Sequence, residues 1–152
     1  MREVHGLSEV EGLAGQEVGA SAWLSITQEM IDRFADATFD HQWIHCDVER
    51  ATRESPYGAP VAHGFLTLSL VPGFRAQILT VTGISRVINY GVNRVRFPNA
   101  VRVDARVRGV QTIKTVERTA PGTARVVSGF VIEIEGETKP ACVAETVMLL
   151  FE

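Results

Sequence analysis

The second half of the chain alternates with period two. In VRVDARVRGV, residues 101–110, Val101, Val103, Ala105 and Val107 interleave with Arg102, Asp104, Arg106 and Arg108. Successive side chains of a strand point to opposite faces, so this segment predicts a strand with one wet face. INYGVNRVRF (88–97), ARVVSGFVIEIEG (124–136) and ACVAETVMLLF (141–151) predict three more. Pro98-Asn99, residues 120–122 and Gly136 supply turns, and the alternating arginines imply antiparallel pairing with one face solvated.

The first half has a different rhythm. Thr27 suits a helix N-cap with Glu29 in the first turn, and Met30, Ile31, Phe34, Ala35 and Ala37 fall near one helical face. That helix should stop near Thr38. Residues 17–26 predict a first strand anchored by Trp23 and Leu24, and residues 1–17 a loop or short helix. Residues 39–63 look irregular, with a short helical piece in DVERATRE. In AHGFLTLSLVPGFRAQILTVTG, Phe65, Leu66, Leu68, Leu70, Val71, Phe74, Ile78 and Leu79 cover nearly every face, which predicts a buried helix. Pro72 predicts a kink or a one-residue break in it. One buried helix ahead of four strands needs cover on several sides. A curved antiparallel sheet wrapped around it supplies that cover, an α+β arrangement over a single domain, 1–152.

Composition narrows the function classes. The chain has 152 residues, enough for one real core, with 45% apolar and 22% charged residues, ordinary globular usage. A net charge of −3 gives no signal for nucleic acid or an anionic membrane. The start, MREVHGLSEVEGLAGQ, lacks the apolar core of a signal peptide. The longest apolar run, Phe65 to Val71, is interrupted by Thr67 and Ser69 and is too short to span a bilayer. Cys46 and Cys142 have no metal-type spacing and suit reduced thiols of a cytoplasmic protein.

Candidate chemistry gathers in DATFDHQWIHCDVERA, residues 36–51. Asp40 and His45 stand five residues apart among Phe39, Trp43 and Ile44. A surface loop with Asp40 capping a turn accounts for them. So does a proton-transfer pair that orients and deprotonates a water, with the apolar neighbours as pocket wall or core. Gly64 stands where a loop meets the buried helix. Its N–H could stabilise negative charge on a ligand oxygen, or the glycine could only relieve crowding. His63 suits a structural role, hydrogen-bonded to nearby backbone. Ser69, about one and a half turns beyond Gly64, could reach a pocket or bond back to the helix. Asp47 suits the cap of DVERATRE, with Arg50 and Arg53 on its exposed side. Cys46 as a nucleophile has no second supporting signal.

Together the two segments FADATFDHQWIHCDVERA and YGAPVAHGFLTLSL resemble the signature of the MaoC-like dehydratases, which include the (R)-specific enoyl-CoA hydratases. Phe34-Ala35, Asp40, His45, Asp47 and Ala51 fall in place, as do Tyr57-Gly58, Val61, Ala62-His63-Gly64 and Leu66. VNRVRFPNAVRVDARVRG resembles the family's strand pair, so the likeness spans residues 27–110. AHGFLTLSLVP is most similar to the nodulation-protein-N-like branch. Phe39 and Asp104 replace glycines of the pattern, Gln42 an asparagine and Trp43 a proline, so the loop backbone is expected to differ and Trp43 to fill part of a pocket.

The resemblance implies a hot-dog fold, a long central helix wrapped by a curved antiparallel sheet, pairing through sheets into a homodimer. It implies reversible hydration of trans-2-enoyl-CoA to (R)-3-hydroxyacyl-CoA in fatty acid metabolism. Asp40 and His45 would be the catalytic pair and Gly64 the carbonyl-binding position, with Phe39, Trp43 and Ser69 as possible pocket residues. No metal or cofactor is implied, since coenzyme A belongs to the substrate, and neither is a nucleic-acid or membrane partner. Arginines 86, 94, 96, 102, 106 and 108 mostly suit a wet sheet face, with one or two reaching the phosphates of coenzyme A. The alternatives are a 3-hydroxyacyl-[acyl carrier protein] dehydratase, an acyl-CoA thioesterase and a non-catalytic acyl-binding subunit.

Overall fold

Strands make up more of the molecule than helices do. The computed structural model describes residues 1–152. Its long strands are β5 (Arg86–Arg96), β6 (Arg106–Ala120), β7 (Thr123–Ile134) and β8 (Cys142–Phe151). Short strands β1 (Arg2–His5), β2 (Glu17–Ala20), β3 (Leu24–Ser25) and β4 (Leu79–Thr82) frame them. The helices are α1 (Gly6–Glu11), α2 (Gln28–Thr38), α3 (Trp43–Cys46), α4 (Val48–Glu54), α5 (Gly64–Ser69) and α6 (Val71–Ile78). A six-stranded antiparallel sheet runs β2-β6-β7-β8-β5, with β3 also on β6. β1 and β4 make a separate parallel pair.

In β7 the alternation becomes burial. Ala124, Val126, Ser128, Phe130, Ile132 and Ile134 face the core, while Arg125 and Val131 face out. α6 lies against this concave face by way of Phe74, which is 1% exposed. Gly109 on β6 makes the approach possible, because a Cβ there would stand 2.9 Å from the Phe74 side chain. The order of elements and the curved sheet around a central helix make this an α+β hot-dog fold.

The structure corrects four details of the pattern reading. The strand expected over 101–110 begins only at Arg106, because residues 103–104 form a turn with Asp104 at φ 65°. Burial still alternates through the turn, with Val101 and Val107 both buried, so alternation alone could not separate turn from strand. The same strand runs on to Ala120 through a stretch rich in Thr, Lys, Glu and Arg, and it turns at Pro121-Gly122. The strand expected over 17–26 is broken at residues 21–23, where the Ser21 hydroxyl accepts a 3.0 Å bond from the Gly109 N–H.

The fourth correction concerns the burial of the central helix. Its one-residue break is the one expected of Pro72 and falls at Leu70, two residues ahead of it. Proline has no N–H to return to Leu68, and its ring crowds that carbonyl. The Leu70 N–H instead makes a tighter bond to Thr67 at 3.3 Å, and α6 restarts with the Phe74 N–H on the Leu70 carbonyl. The helix is not buried on every side. Leu66, Thr67, Val71, Phe74 and Ile78 face the sheet, whereas Phe65, Ser69, Pro72 and Gly73 are exposed. β5 beside that open face has one free edge, along which Val87, Ile88, Tyr90 and Val92 are exposed.

Candidate active site

The site starts at the end of α2. As expected, the Thr27 hydroxyl caps this helix, accepting from the Met30 N–H. The helix stops at Phe39, whose φ of 60° is left-handed, and both the Phe39 and Asp40 N–H groups return to the Ala35 carbonyl. A left-handed residue after a helix reverses the chain, which is why glycine is favoured there. The only non-glycine residues with positive φ are Phe39 and Asp104. Both stand where the resembling pattern has glycine. The backbone is left-handed at both, against a side-chain penalty of about 1–2 kcal/mol at Phe39.

Asp40 is thereby set at an exposed rim beside two buried imidazoles. His45 lies on the single turn α3, and its Nδ1 is 2.6 Å from the Val61 carbonyl. A carbonyl can only accept, so Nδ1 carries the hydrogen and Nε2 keeps its lone pair. The carbonyl is itself fixed: the Val61 N–H bonds Ile44, and Val61 bridges to Arg102. His63 precedes α5 and donates from Nε2 to the Asp40 backbone carbonyl at 2.9 Å, the structural bond expected of it. Its Nδ1 is buried without a partner. The two rings stack, centroids 3.8 Å apart at 26°, and Phe34 packs on His63 at 5.1 Å.

Asp40, His45 and His63 each bring one polar atom within 4.8 Å of the others. Burial is the main force on the His45 charge and lowers its pKa; the Val61 bond raises it, His63 lowers it and Asp40 raises it. The net direction keeps the imidazole neutral, a base with a free Nε2. His45 Nε2 and His63 Nδ1 stay free while the other nitrogen of each ring is fixed by a carbonyl. A neutral imidazole nitrogen beside a carboxyl is an arrangement suited to moving a proton.

Gly64 is the first residue of α5 and follows His63, whose side chain makes no cap bond. Its N–H therefore has no intrahelical acceptor. A Cβ at Gly64 would lie 2.8 Å from the Phe97 ring, so the glycine also relieves crowding. Four and five residues along α5, Leu68 and Ser69 reach a cleft of about 500 Å³ between the open helix face and the sheet. Val71, Val87, Val92, Phe130 and Met148 supply its apolar wall. Ser69 takes both of its expected places: it lines the cleft and its hydroxyl donates back to the Phe65 carbonyl at 2.7 Å. Phe39 and Trp43 do not line this cleft. Phe39 is 88% exposed, and Trp43 lies beneath the Arg50 guanidinium at 4.3 Å.

Asp47 caps α4, accepting from the Arg50 N–H. Burial and then Asp32, Asp36 and Asp40 raise the Cys46 pKa, and burial pushes Cys142 up to about 11, so neither thiol is primed as a nucleophile. Arg106 and Arg108 pair with Glu135 and Glu133 across the wet face of the sheet. Sequence reasoning missed three participants: the Val61 carbonyl, Phe97 over Gly64, and Arg75, which also lines the cleft. A backbone carbonyl leaves no mark in residue type. Arg75, a lone charge in a run of apolar helix residues, was visible.

Known proteins resemble this chain along most of its length. Residues 9–131 match the family described as MaoC like domain. The 3-hydroxyacyl-thioester dehydratase Z of Mycobacterium tuberculosis is 47% identical over 148 residues, 97% of each chain. Nodulation protein N of Rhizobium meliloti is 42% identical over 98% of this chain and 92% of its own. The solved structure of an (R)-hydratase from A. caviae involved in PHA biosynthesis superposes with a TM-score of 0.68 at 25% identity, over 87% of this chain and 95% of that one. With the family match covering most of the chain and relatives above 40% identity spanning nearly all of it, this protein belongs to the MaoC-like dehydratase family and so to the hydro-lyases that add or remove water at acyl thioesters.

Proposed function

We propose that the protein catalyses the reversible hydration of trans-2-enoyl-CoA to (R)-3-hydroxyacyl-CoA, within fatty acid metabolism in the cytoplasm. The observation that carries this reading is the meeting of Asp40 with a neutral His45 whose Nε2 is left free by the Nδ1 bond to Val61. The name of the 47% identical relative, a 3-hydroxyacyl-thioester dehydratase, supports the reaction type. The (R)-hydratase neighbour supports the configuration.

In the proposed reaction a water sits between Asp40 and His45. Its oxygen attacks C3 of the enoyl chain while its proton passes to His45 Nε2. The electron pair of the C2–C3 double bond moves toward the thioester carbonyl, where negative charge builds on oxygen. The Gly64 N–H stabilises that charge, a contribution of about a hundredfold or more in rate for a donor of this kind. The proton that His45 has taken from the water then passes to C2 on the same face, with Asp40 orienting the water and stabilising the imidazolium, so the addition closes with both groups as they began. Asp40 and His45 thus act as a coupled pair. Every step is a proton transfer or a carbon–oxygen bond change. The reaction needs no metal or cofactor, and coenzyme A enters as part of the substrate.

A homodimer formed along the free edge of β5 would cover Val87, Ile88, Tyr90 and Val92 and turn the cleft into a tunnel. No helix is long and apolar enough to cross a membrane. The direct test is purified protein with crotonyl-CoA. Loss of enoyl absorbance with formation of the (R)-3-hydroxy product supports hydration. Release of free thiol instead would make the protein a thioesterase, and inertness toward enoyl-CoAs of several lengths would make it a non-catalytic acyl-binding subunit. The same assay with the enoyl group on acyl carrier protein decides the carrier.

A further inference from the structure

Arg75 is half-buried without an ion pair, whereas Arg2, Arg86, Arg94, Arg96 and Arg102, which also have none, are exposed. Arg33, Arg50, Arg53, Arg106, Arg108, Arg118 and Arg125 each pair with a glutamate. Arg75 sits on α6, half-buried, and lines the cleft between the open helix face and the sheet. It takes part in no ion pair and no side-chain hydrogen bond. Its partners in the lining are apolar, Leu68, Val71, Val92, Phe130 and Met148 among them, and the polar ones are uncharged: Ser69, Asn89 and Thr146. No acid lines the cleft. Burial alone acts on its charge and lowers its pKa.

A guanidinium in apolar surroundings is unfavourable until an anion meets it. A plain alkyl chain drawn into the cleft would strip more water from Arg75 and offer nothing in return. An acyl chain ending in a carboxylate would neutralise it with a paired, charge-assisted hydrogen bond. The geometry allows this reach. Arg75 lies eleven residues beyond Gly64 on nearly continuous helix, roughly 16 Å of rise, and Leu68 and Ser69 line the path between them.

Resting on the hydratase reading, we propose that the cleft holds the far end of the acyl chain and that Arg75 selects chains bearing a distal carboxylate, the thioesters of dicarboxylic acids. The class of reaction that supplies such a substrate is one that oxidises or carboxylates the methyl end of a fatty acyl chain.

Calorimetric binding of saturated, unreactive thioesters tests this without turnover. Hexanoyl-CoA is compared with adipoyl-CoA, and decanoyl-CoA with sebacoyl-CoA, each pair differing only in methyl against carboxylate at the end. The wild type should bind the carboxylate member of at least one pair about ten- to a hundredfold more tightly. R75M should lose or invert that preference, and R75K, which keeps the charge, should retain part of it. Equal or weaker binding of both carboxylate members by the wild type overturns the proposal. So does an unchanged preference in R75M. Light scattering on R75M covers the remaining explanation: a wild-type dimer that becomes monomeric in R75M assigns Arg75 to contacts with a second copy and also overturns it. Crotonyl-CoA hydration by the wild type is scored separately. If that fails while the carboxylate preference holds, the reaction is wrong and the selectivity stands.

Discussion

Two regions border the central helix, and they are built oppositely. Around residues 40, 45 and 63, just ahead of α5, polar groups are held by named backbone atoms: His45 by Val61, His63 by its hold on Asp40, Asp40 by the left-handed end of α2. Beside α6 the cleft is apolar, open along β5, and its single charge has no partner. The bonds that orient the first region all come from this chain, whereas the second is unfinished until a ligand or a second copy covers it. The proposed reading accordingly assigns chemistry to the polar cluster and selectivity to the cleft. Changes in the cluster should affect every substrate alike, whereas changes in the cleft should sort substrates by their far ends.

The strongest way to break this division is to remove a proton-transfer group. D40N and H45Q should each lower crotonyl-CoA hydration by about 10²- to 10⁴-fold. The loss should be the same factor for short and long enoyl-CoAs, with the circular dichroism spectrum unchanged. Near-normal turnover in both variants would separate the cluster from the reaction altogether. A loss confined to long chains would dissolve the distinction between the regions.

Gly64 joins the two regions and comes next in size. A Cβ there meets the Phe97 ring at 2.8 Å, an overpacking that costs about 1–3 kcal/mol. The methyl group would also stand where a thioester carbonyl approaches the amide. G64A should therefore lose stability and about tenfold to a hundredfold in rate. G64A combined with F97L removes the crowding, so thermal stability should recover while the rate stays low. Recovery of both would reduce the glycine to a packing device.

The free edge of β5 offers a third test. Tyr90 is 67% exposed in the middle of that strand. Y90E would place a charge on an edge proposed to pair with its copy, and it should turn a dimer into a monomer by light scattering. The cleft would then lie open, and binding of long acyl chains should weaken more than that of crotonyl-CoA. A wild type that is already monomeric would remove the tunnel from the account.

These tests follow a line between what was legible in the residues and what was not. Elements stabilised by their own sequence could be read directly: α2 from its Thr27 cap and apolar face, and β5, β7 and β8 from alternation. Asp40, His45 and Gly64 could be singled out because acids, imidazoles and a helix-starting glycine have chemistry of their own. What stayed hidden depends on long-range contact. The Asp104 turn kept the alternation of a strand. Nothing about Val61 distinguishes its carbonyl from any other. The open helix face at Phe65, Ser69 and Pro72 contradicted an all-apolar pattern, because no element of this chain covers it.

A smaller test concerns backbone strain at the rim of the cluster. Phe39 holds φ at 60° with its ring exposed. F39G should raise unfolding free energy by about 1 kcal/mol, since glycine relieves the left-handed penalty, and it should leave crotonyl-CoA turnover unchanged. A selective fall in long-chain binding would instead make the exposed ring part of the acyl path.

The smallest effect expected is a pH dependence specific to His45. Its pKa in the folded protein lies below the usual 6.5, with burial the largest cause. Above pH 6.5 both folded and unfolded chains hold this ring neutral, and it contributes nothing to the pH dependence of stability. As pH falls through 6.5 the unfolded chain takes up a proton that the folded chain refuses. The unfolded state then binds more protons, so stability decreases as pH falls, until the folded pKa is passed. The groups facing the ring are His63, stacked on it, and Asp40, with Asp32 and Asp36 of α2 beyond Cys46. H45Q removes the titrating ring and keeps a polar side chain. Urea unfolding at pH 7.5 and 5.5 should show the wild type losing more stability than H45Q over that interval. An equal loss would mean that His45 is as easily protonated in the fold as in water. The neutral base that the hydration mechanism relies on would then be largely protonated at pH 5.5, and turnover should fall over the same interval.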